Sequence, residues 1–492
     1  MSIAIPGFRA PGVDRPSLWS PSVLRTEVLA GLVVGLALIP EAIAFSVIAG
    51  VDPSVGLFSS VTMAITIAFA GGRPAMVSAA TAAVALVVAP MAREHGVGYL
   101  VATIALAGVI QMLLAFFGVA KLMRFIPRSV MVGFVNALAI LVFAAQLRHL
   151  VDVPWLVYPL TAAGIALMVL LPKLTTAVPP PLVVVLVLTL AVVAFGWHVP
   201  NVGDQGALPD SLPVPGMPHV PFTLHTLQII GPYALGAALV GLLESLMTAK
   251  LVDDITDTPS NKTREAWGQG LANMVTAVFG GMGGCAVIGQ TMMNVKIAGA
   301  RTRLSTLMTG VFVLVLVLAL GDLVGRIPMA ALVAVMIVVS VATFDWHSVA
   351  PRTLKLLPRS ETLVMVITVV ATVATGNLAI GVSLGVLSAM VAFARRVAHS
   401  TRVSTEGTGT YRVHGDLFFV SSNDLVHQFD YAGDPSEVVV DLTGTAVWDA
   451  SAVASLDAIQ QKYSSRGKTA RFIGLDGASL DRLNRMSGRL GA

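Results

Sequence analysis

The sequence predicts an all-α polytopic membrane protein with fourteen spans in two inverted sets of seven, followed by a small cytoplasmic α/β domain. Three observations lead there. The 492 residues are 55% hydrophobic and only 12% charged, with a mean hydropathy of +0.83, which excludes an ordinary soluble globular protein. Apolar stretches of membrane-helix character recur along the chain up to about Ala398. Beyond that point short β-rich runs alternate with amphipathic helices.

The apolar stretches start near Val28, Gly56, Ser78, Tyr99, Pro127, Leu156, Leu182, Gly231, Thr263, Val287, Leu304, Pro328, Glu361 and Leu378, the third and tenth being short. Cytoplasmic loops collect Lys and Arg. With the N-terminus inside, the inner loops hold Arg73, Lys121, Arg124, Arg128, Lys173, Lys250, Lys262, Arg264, Lys296, Arg301, Arg303, Arg352, Lys355 and Arg359, whereas the outer loops hold only Arg93, Arg148 and Arg326. Fourteen against three places both termini in the cytoplasm of a multi-pass inner (plasma) membrane protein. The outer segment from His198 to Gln228 carries no Lys or Arg and divides the spans seven and seven. An odd number per half turns the second half over, which is the arithmetic of inverted repeats.

The boundaries read as a cytoplasmic segment over 1–26, a transport domain over 27–397 with repeats of about 27–198 and 229–397, a linker over 398–410 and the α/β domain over 411–492. Within the last, LFFV, EVVVDLTG and TARFIGL read as strands, and Ser451 to Tyr463 and Ser479 to Met486 as helices. The single cysteine, Cys285, excludes an internal disulfide and reads as a small buried packing residue. No nucleophile, base and oxyanion set is visible, so the chain is not read as an enzyme. Nucleic acid is not implied by a net charge of +4, and no cofactor or metal site is expected.

Two acidic residues fall well inside spans: Glu41, next to Pro40 in the first, and Glu244 in the eighth, the corresponding span of the second half. An unpaired charge at that depth costs several kcal/mol, so the default reading is functional. Pro40 removes a backbone donor beside Glu41. In the short third and tenth segments, small and hydroxyl residues around Ser78 to Thr81 and Gly283 to Thr291 suit brief extended stretches that turn into half-helices. The N-termini of half-helices offer free N–H groups and partial positive charge to an anion. Close packing by small residues is the competing explanation. Asp253, Asp254 and Asp257 read as a solvated loop after the eighth helix, and the G-x-G-x-x-A outline in FGGMGGCA lacks the strand-loop-helix unit of a nucleotide site.

GLVVGLALIPEAIAFSVIAGVDPSVGLFSS, GRPAMVSAATAAVALV and GCAVIGQTMMNVKIAGARTRLS closely resemble the SulP family of anion transporters, and VVVDLTGTAVWDASAVASLDAI resembles the STAS domain that ends most members. The resemblance covers nearly the whole chain. It implies a core domain of spans one to four and eight to eleven, a gate domain of spans five to seven and twelve to fourteen, and a site between spans one, three, eight and ten. Carried over, the substrate site holds Glu41, Phe45, Ser78, Ala79, Thr81, Ala286, Val287, Ile288, Gly289, Gln290 and Thr291, with Glu41, Glu244 and Thr248 as ion-coupling residues. Many relatives have glutamine in place of Glu41, and many animal members arginine in place of Gln290. The centre here is therefore more acidic than a simple halide exchanger would need. In the STAS segment, Ser451 stands where related domains are phosphorylated, although capping near Asp449 explains the same turn.

An anion about 6 Å from an ionised carboxylate, at an effective dielectric of about 20, is repelled by roughly 3 kcal/mol. Protonation of Glu41 or Glu244 removes that repulsion, so the sequence reads as a proton-coupled symporter of small anions, a dicarboxylate such as fumarate before sulfate or bicarbonate. Sodium held by Glu244 and Thr248 at i and i+4, as in a sodium-coupled bicarbonate symporter, is the rival. A nucleobase:proton symporter and a membrane-tethered STAS signalling protein are the further alternatives. The expected partners are the substrate anion, the lipid bilayer and a second copy in a homodimer.

Overall fold

The computed structural model describes residues 20–118, 126–174, 179–206, 212, 214–216, 220–221, 223–319, 321–398, 401–422 and 425–489. The leader through Trp19, Lys121, Arg124 and parts of the outer segment lie outside the described residues. The chain divides into two compact units, 1–386 and 387–492.

In the first unit, each apolar stretch of the sequence corresponds to a helical segment. The first half runs α1 (Pro21–Ala49), α2 (Pro53–Ala70), a two-residue strand β1 (Ser78–Ala79) leading into α3 (Ala82–His95), α4 (Val97–Phe116), α5 (Arg128–Leu147), α6 (Val157–Leu174) and α7 (Pro180–Ala194). The second half repeats the plan. It runs α8 (Leu224–Thr256), α9 (Lys262–Val278), β2 (Cys285–Ala286) leading into α10 (Ile288–Met292), which continues as a π-helix over Met293–Ile297, and α11 (Arg303–Ala319). After the short α12 (Gly321–Gly325) come α13 (Met329–Thr343), the short α14 (Pro351–Leu356), α15 (Arg359–Thr375) and α16 (Leu378–Ala398). Seven of these helices are long and apolar enough to cross a membrane, and α7, α11 and α13 are shorter apolar helices.

The packing repeats as the inverted halves require. α1 lies on α11 as α8 lies on α4; α2 meets α11 as α9 meets α4; α13 meets α6 as α5 meets α15. Glycine makes the closest of these approaches possible. A methyl group on Gly108 of α4 would fall 2.6 Å from the Gly270 carbonyl, and one on Gly270 of α9 would fall 2.6 Å from the Gly108 carbonyl. Small residues let backbones touch where lipid supplies no hydrophobic drive between helices.

The breaks in the helices fall in the third and tenth spans. α1 runs unbroken through Pro40. β1 and β2 pair antiparallel, Ser78 opposite Ala286 and Ala79 opposite Cys285, so the two half-helices start back to back at the junction of the repeats. Asp253 and Asp254, read as loop residues, lie inside α8, and Asp253 pairs with Arg73 at 3.0 Å and Lys262 at 2.7 Å.

In the second unit, a four-stranded sheet in the order β3 (Arg402–Gly407), β4 (Thr410–His414), β5 (Glu437–Asp441), β6 (Thr469–Ile473) carries α17 (Ala450–Ser464) and α18 (Gly477–Met486). β3 and β4 are antiparallel; β4, β5 and β6 are parallel. Two readings are corrected here. The linker assigned to 398–410 contains β3, whose polar RVSTEG lacks the apolar alternation of a half-buried strand. LFFV is not a strand: Leu417 makes one isolated bridge to Val447, and the following turn closes with Ser421 N–H donating to the Phe418 carbonyl. Phe419 is consequently exposed.

Candidate functional site

The two strands position the site. The Val287 N–H donates to the Val77 carbonyl at 2.9 Å and the Val77 N–H donates to Thr291 Oγ1 at 3.0 Å, so each tip holds the other's backbone. Side chains from α8, α9 and α4 complete the frame. Ser245 Oγ accepts from the Ala286 N–H at 3.0 Å. The Asn273 amide reads both sides of Gly284, accepting its N–H at 2.9 Å and donating to its carbonyl at 3.1 Å, while donating to Gln111 Oε1 at 2.9 Å. Gln269 Nε2 donates to Ser78 Oγ at 2.7 Å and to Glu265 Oε1 at 2.9 Å. Buried polar groups without such partners would each cost about 1–3 kcal/mol.

Both carboxylates are buried, and both meet the second strand-helix unit. Glu41, from α1, is buried beside the Gln290 side chain in α10. Glu244, from α8, accepts from Cys285 Sγ at 3.0 Å, and that sulfur lies 3.1 Å from Thr81 Oγ1, the residue that caps α3. Glu41, Glu244, Thr81, Gln290 and Cys285 are thus gathered around the paired strands. The sequence reading missed Cys285 as a participant, because a lone cysteine in an apolar segment carries no signal that separates packing from hydrogen bonding.

The two tips differ. At the first, Ser78, Ala79 and Thr81 are buried, and Thr81 Oγ1 accepts from the Val84 N–H. At the second, the N-cap Val287 offers no side-chain acceptor, Gly289 is exposed, and a methyl group placed on Gly289 would meet nothing within 4 Å. Ala286 and Val287 are buried and Ile288 is partly buried beside that opening. Phe45 packs in the apolar cluster with Ala80 and Val84 of the third span and Phe134 and Leu138 of α5.

Thr248 is fully buried, and its hydroxyl donates to the Glu244 backbone carbonyl at 2.7 Å, one turn back in α8. Among the described residues no group of three or more His, Cys, Asp or Glu is arranged to hold a metal. Glu27 and Glu265 are two further buried carboxylates. Glu27 accepts from the N–H groups of Arg301, Thr302 and Ser305 where α11 begins, and Glu265 from those of Gly72 and Arg73 before the third span. They fasten one half to the other at span ends, where the sequence pattern resembles an ordinary interfacial acid. In the second unit Asp449, not Ser451, caps α17, accepting from the Ala452 N–H at 2.9 Å. Ser451 is exposed one residue into that helix.

Half-helices meeting head to head inside an inverted-repeat bundle, with buried carboxylates at the junction, are the architecture of a membrane transporter. Comparison with known proteins identifies the kind. The chain belongs to the sulfate permease family: that family's model matches residues 24–161 and 155–368, and the STAS domain model matches 400–487. It is a multi-pass membrane anion transporter of that family. Over 94% of the chain and 97% of the relative, it is 49% identical to YbaR of Bacillus subtilis, which is assigned by name to sulfate transport. It is also 25% identical to the bicarbonate transporter BicA of a Picosynechococcus strain, over 94% of this chain and 91% of the relative. Among solved structures, murine Slc26a9, an anion transporter in the inward-facing state, superposes with a TM-score of 0.81 at 17% identity, over 95% of this chain and 88% of that one. The BicA transmembrane domain gives 0.66 at 23% identity, over 73% and 98%. Both share the fold.

Proposed function

We propose that this chain is a secondary active transporter of small anions that carries proton and anion together by alternating access, with Glu41 or Glu244 as the coupling group. The support for this reading is the burial of Glu41 beside Gln290 near the open start of α10, where backbone N–H groups would hold an anion. Ionised, that carboxylate opposes the anion by roughly 3 kcal/mol at about 6 Å; protonated, it does not. Glu244 stands in the corresponding helix, one hydrogen bond from Cys285. Sodium coupling through Glu244 and Thr248 is the rival reading, since the Thr248 hydroxyl donates to its own helix and keeps its oxygen lone pairs for a cation.

A dicarboxylate such as fumarate, sulfate and bicarbonate all suit such a site. The names of YbaR and BicA bring sulfate and bicarbonate to the front of the panel to be tested. We further propose a homodimer, and, from the positive-inside distribution, termini that are both cytoplasmic. Thermal stability of the purified protein across an anion panel identifies the substrate, because a ligand stabilises the state it binds. Uptake into liposomes under imposed proton or sodium gradients then separates the couplings. Equal uptake under every gradient would refute both symport readings.

A further inference from the structure

The chain forms a cavity of about 170 Å³ beyond the C-terminus of α5, lined by Arg148, His149, Gln205 and the apolar side chains of Val153, Val157 and Met329. Its place in the fold is fixed by connectivity. The Val202 to Gln205 turn leads to Gly206, where an added methyl would overlap the Asp52 carboxylate in the α1–α2 turn. The cavity therefore lies on the face opposite the Arg73–Asp253 pair, which sits at the other end of α2. On that face arginine is scarce. Arg93 donates to the Ile48 carbonyl and Arg326 does not line the cavity, whereas the Arg148 guanidinium has no hydrogen-bond or ion-pair partner among the described residues.

The chemistry of the lining favours an anion. No Asp or Glu lines it; the Asp204 carboxylate accepts the Asn201 N–H at 2.8 Å, and the Asp52 carboxylate lies against Gly206, one residue beyond Gln205. Val157 and Met329 are the first residues of α6 and α13, so both helices begin at the wall of the space that Arg148 makes positive, their own first N–H groups being taken by the Pro154 and Pro200 carbonyls. A guanidinium fork, an imidazole and the Gln205 amide converge as several donors, which suits a planar or tetrahedral oxyanion better than a halide. The floor has a further meaning. Val157 and Met329 belong to the apolar cluster that joins α6, α7 and α13 to Leu38 and Ile39 of α1, so the cavity caps the seam between α1 and those helices.

We propose that this cavity is a second anion site, a vestibule that holds a small oxyanion between Arg148, His149 and Gln205 before it enters the transport unit. The binding claim stands on its own; its consequence for uptake rests on the transport reading above.

A reporter thiol introduced as Gln205→Cys in the full-length protein tests binding without any transport, since the native Cys285 is fully buried. A sulfonate-bearing thiosulfonate reagent is expected to label it roughly tenfold faster, relative to a trimethylammonium reagent, than it labels free cysteine. Sulfate added at constant ionic strength should slow that labelling, and Arg148→Gln should remove both effects. A charge preference equal to that of free cysteine, with no protection by sulfate, overturns the proposal. In liposomes carrying the otherwise native protein, Arg148→Gln should raise the KM for sulfate uptake severalfold while changing the maximal rate less than twofold, and Arg148→Lys should recover part of it. An unchanged KM in Arg148→Gln is equally contrary to a vestibule.

Discussion

The third and tenth spans have the same plan, a two-residue strand followed by a helix, and they have opposite surroundings. Around β1 and the start of α3 the chain is closed: Ser78 is held by Gln269, Thr81 caps its own helix, and every residue from Val77 to Thr81 is buried. Around the start of α10 it is open at Gly289, and Glu41 reaches in from α1 to Gln290. Inverted repeats supply two equivalent positions, and side chains decide which one frames and which one binds. Here the first tip is the frame, and the second is the one we propose as the anion's place.

Glycine substitutions give the largest contrast. A methyl on Gly284 would fall 1.9 Å from the Ala79 carbonyl, so Gly284→Ala should prevent the strands from pairing, at a cost of several kcal/mol. Its expected signature is loss of a monodisperse peak in detergent. Gly289→Ala meets open space, so it should remain monodisperse and alter anion affinity instead. Equal behaviour of the two variants would erase the distinction between frame and opening.

Next in size is Asn273→Ala. It strips both hydrogen bonds from Gly284 and leaves Gln111 Oε1 without its donor, with an expected loss of about 1–3 kcal/mol. Thermal unfolding of the purified protein measures it, and an unchanged midpoint would mean that the frame does not depend on α9.

Smallest is Asp476→Ala in the second unit. Asp476 caps α18 by accepting from the Ser479 N–H at 2.7 Å, and the Ser479 side chain together with that N–H holds its carboxyl below the ordinary value of 3.8. Because the folded value is the lower one, this stabilisation is present above the unfolded value and is lost as pH falls through the folded value. Amide exchange over 477–486 should accelerate severalfold in the variant at neutral pH, and the difference from the parent should vanish in strong acid. The same local bond, unlike the strand frame, leaves the first unit unaffected.

Much of the membrane fold was legible because its causes are written locally. Hydropathy marks the spans, the scarcity of polar residues makes Glu41 and Glu244 conspicuous, and the short third and tenth stretches announce the breaks. The clamps were not legible. Gln111, Gln269, Asn273, Glu27 and Glu265 look in sequence like occasional polar residues in apolar helices. Their roles depend on backbone groups of other spans: Glu27 binds amides near residue 301, and Glu265 those near residue 72. Which partner a buried amide or carboxyl finds is set by packing, and periodicity does not encode it. β3 escaped for the opposite reason, being an edge strand whose polar face resembles a linker.

The central claim is that a carboxylate at the anion tip couples proton to anion. Uptake of the most stabilising anion into liposomes, with and without an inward proton gradient, tests it most directly when the parent is set beside Glu41→Gln and Glu244→Gln. The account predicts that the gradient accelerates uptake by the parent and that at least one variant, Glu41→Gln first, moves the anion at a rate indifferent to the gradient. Proton-driven accumulation at the parent's level in both variants would contradict it.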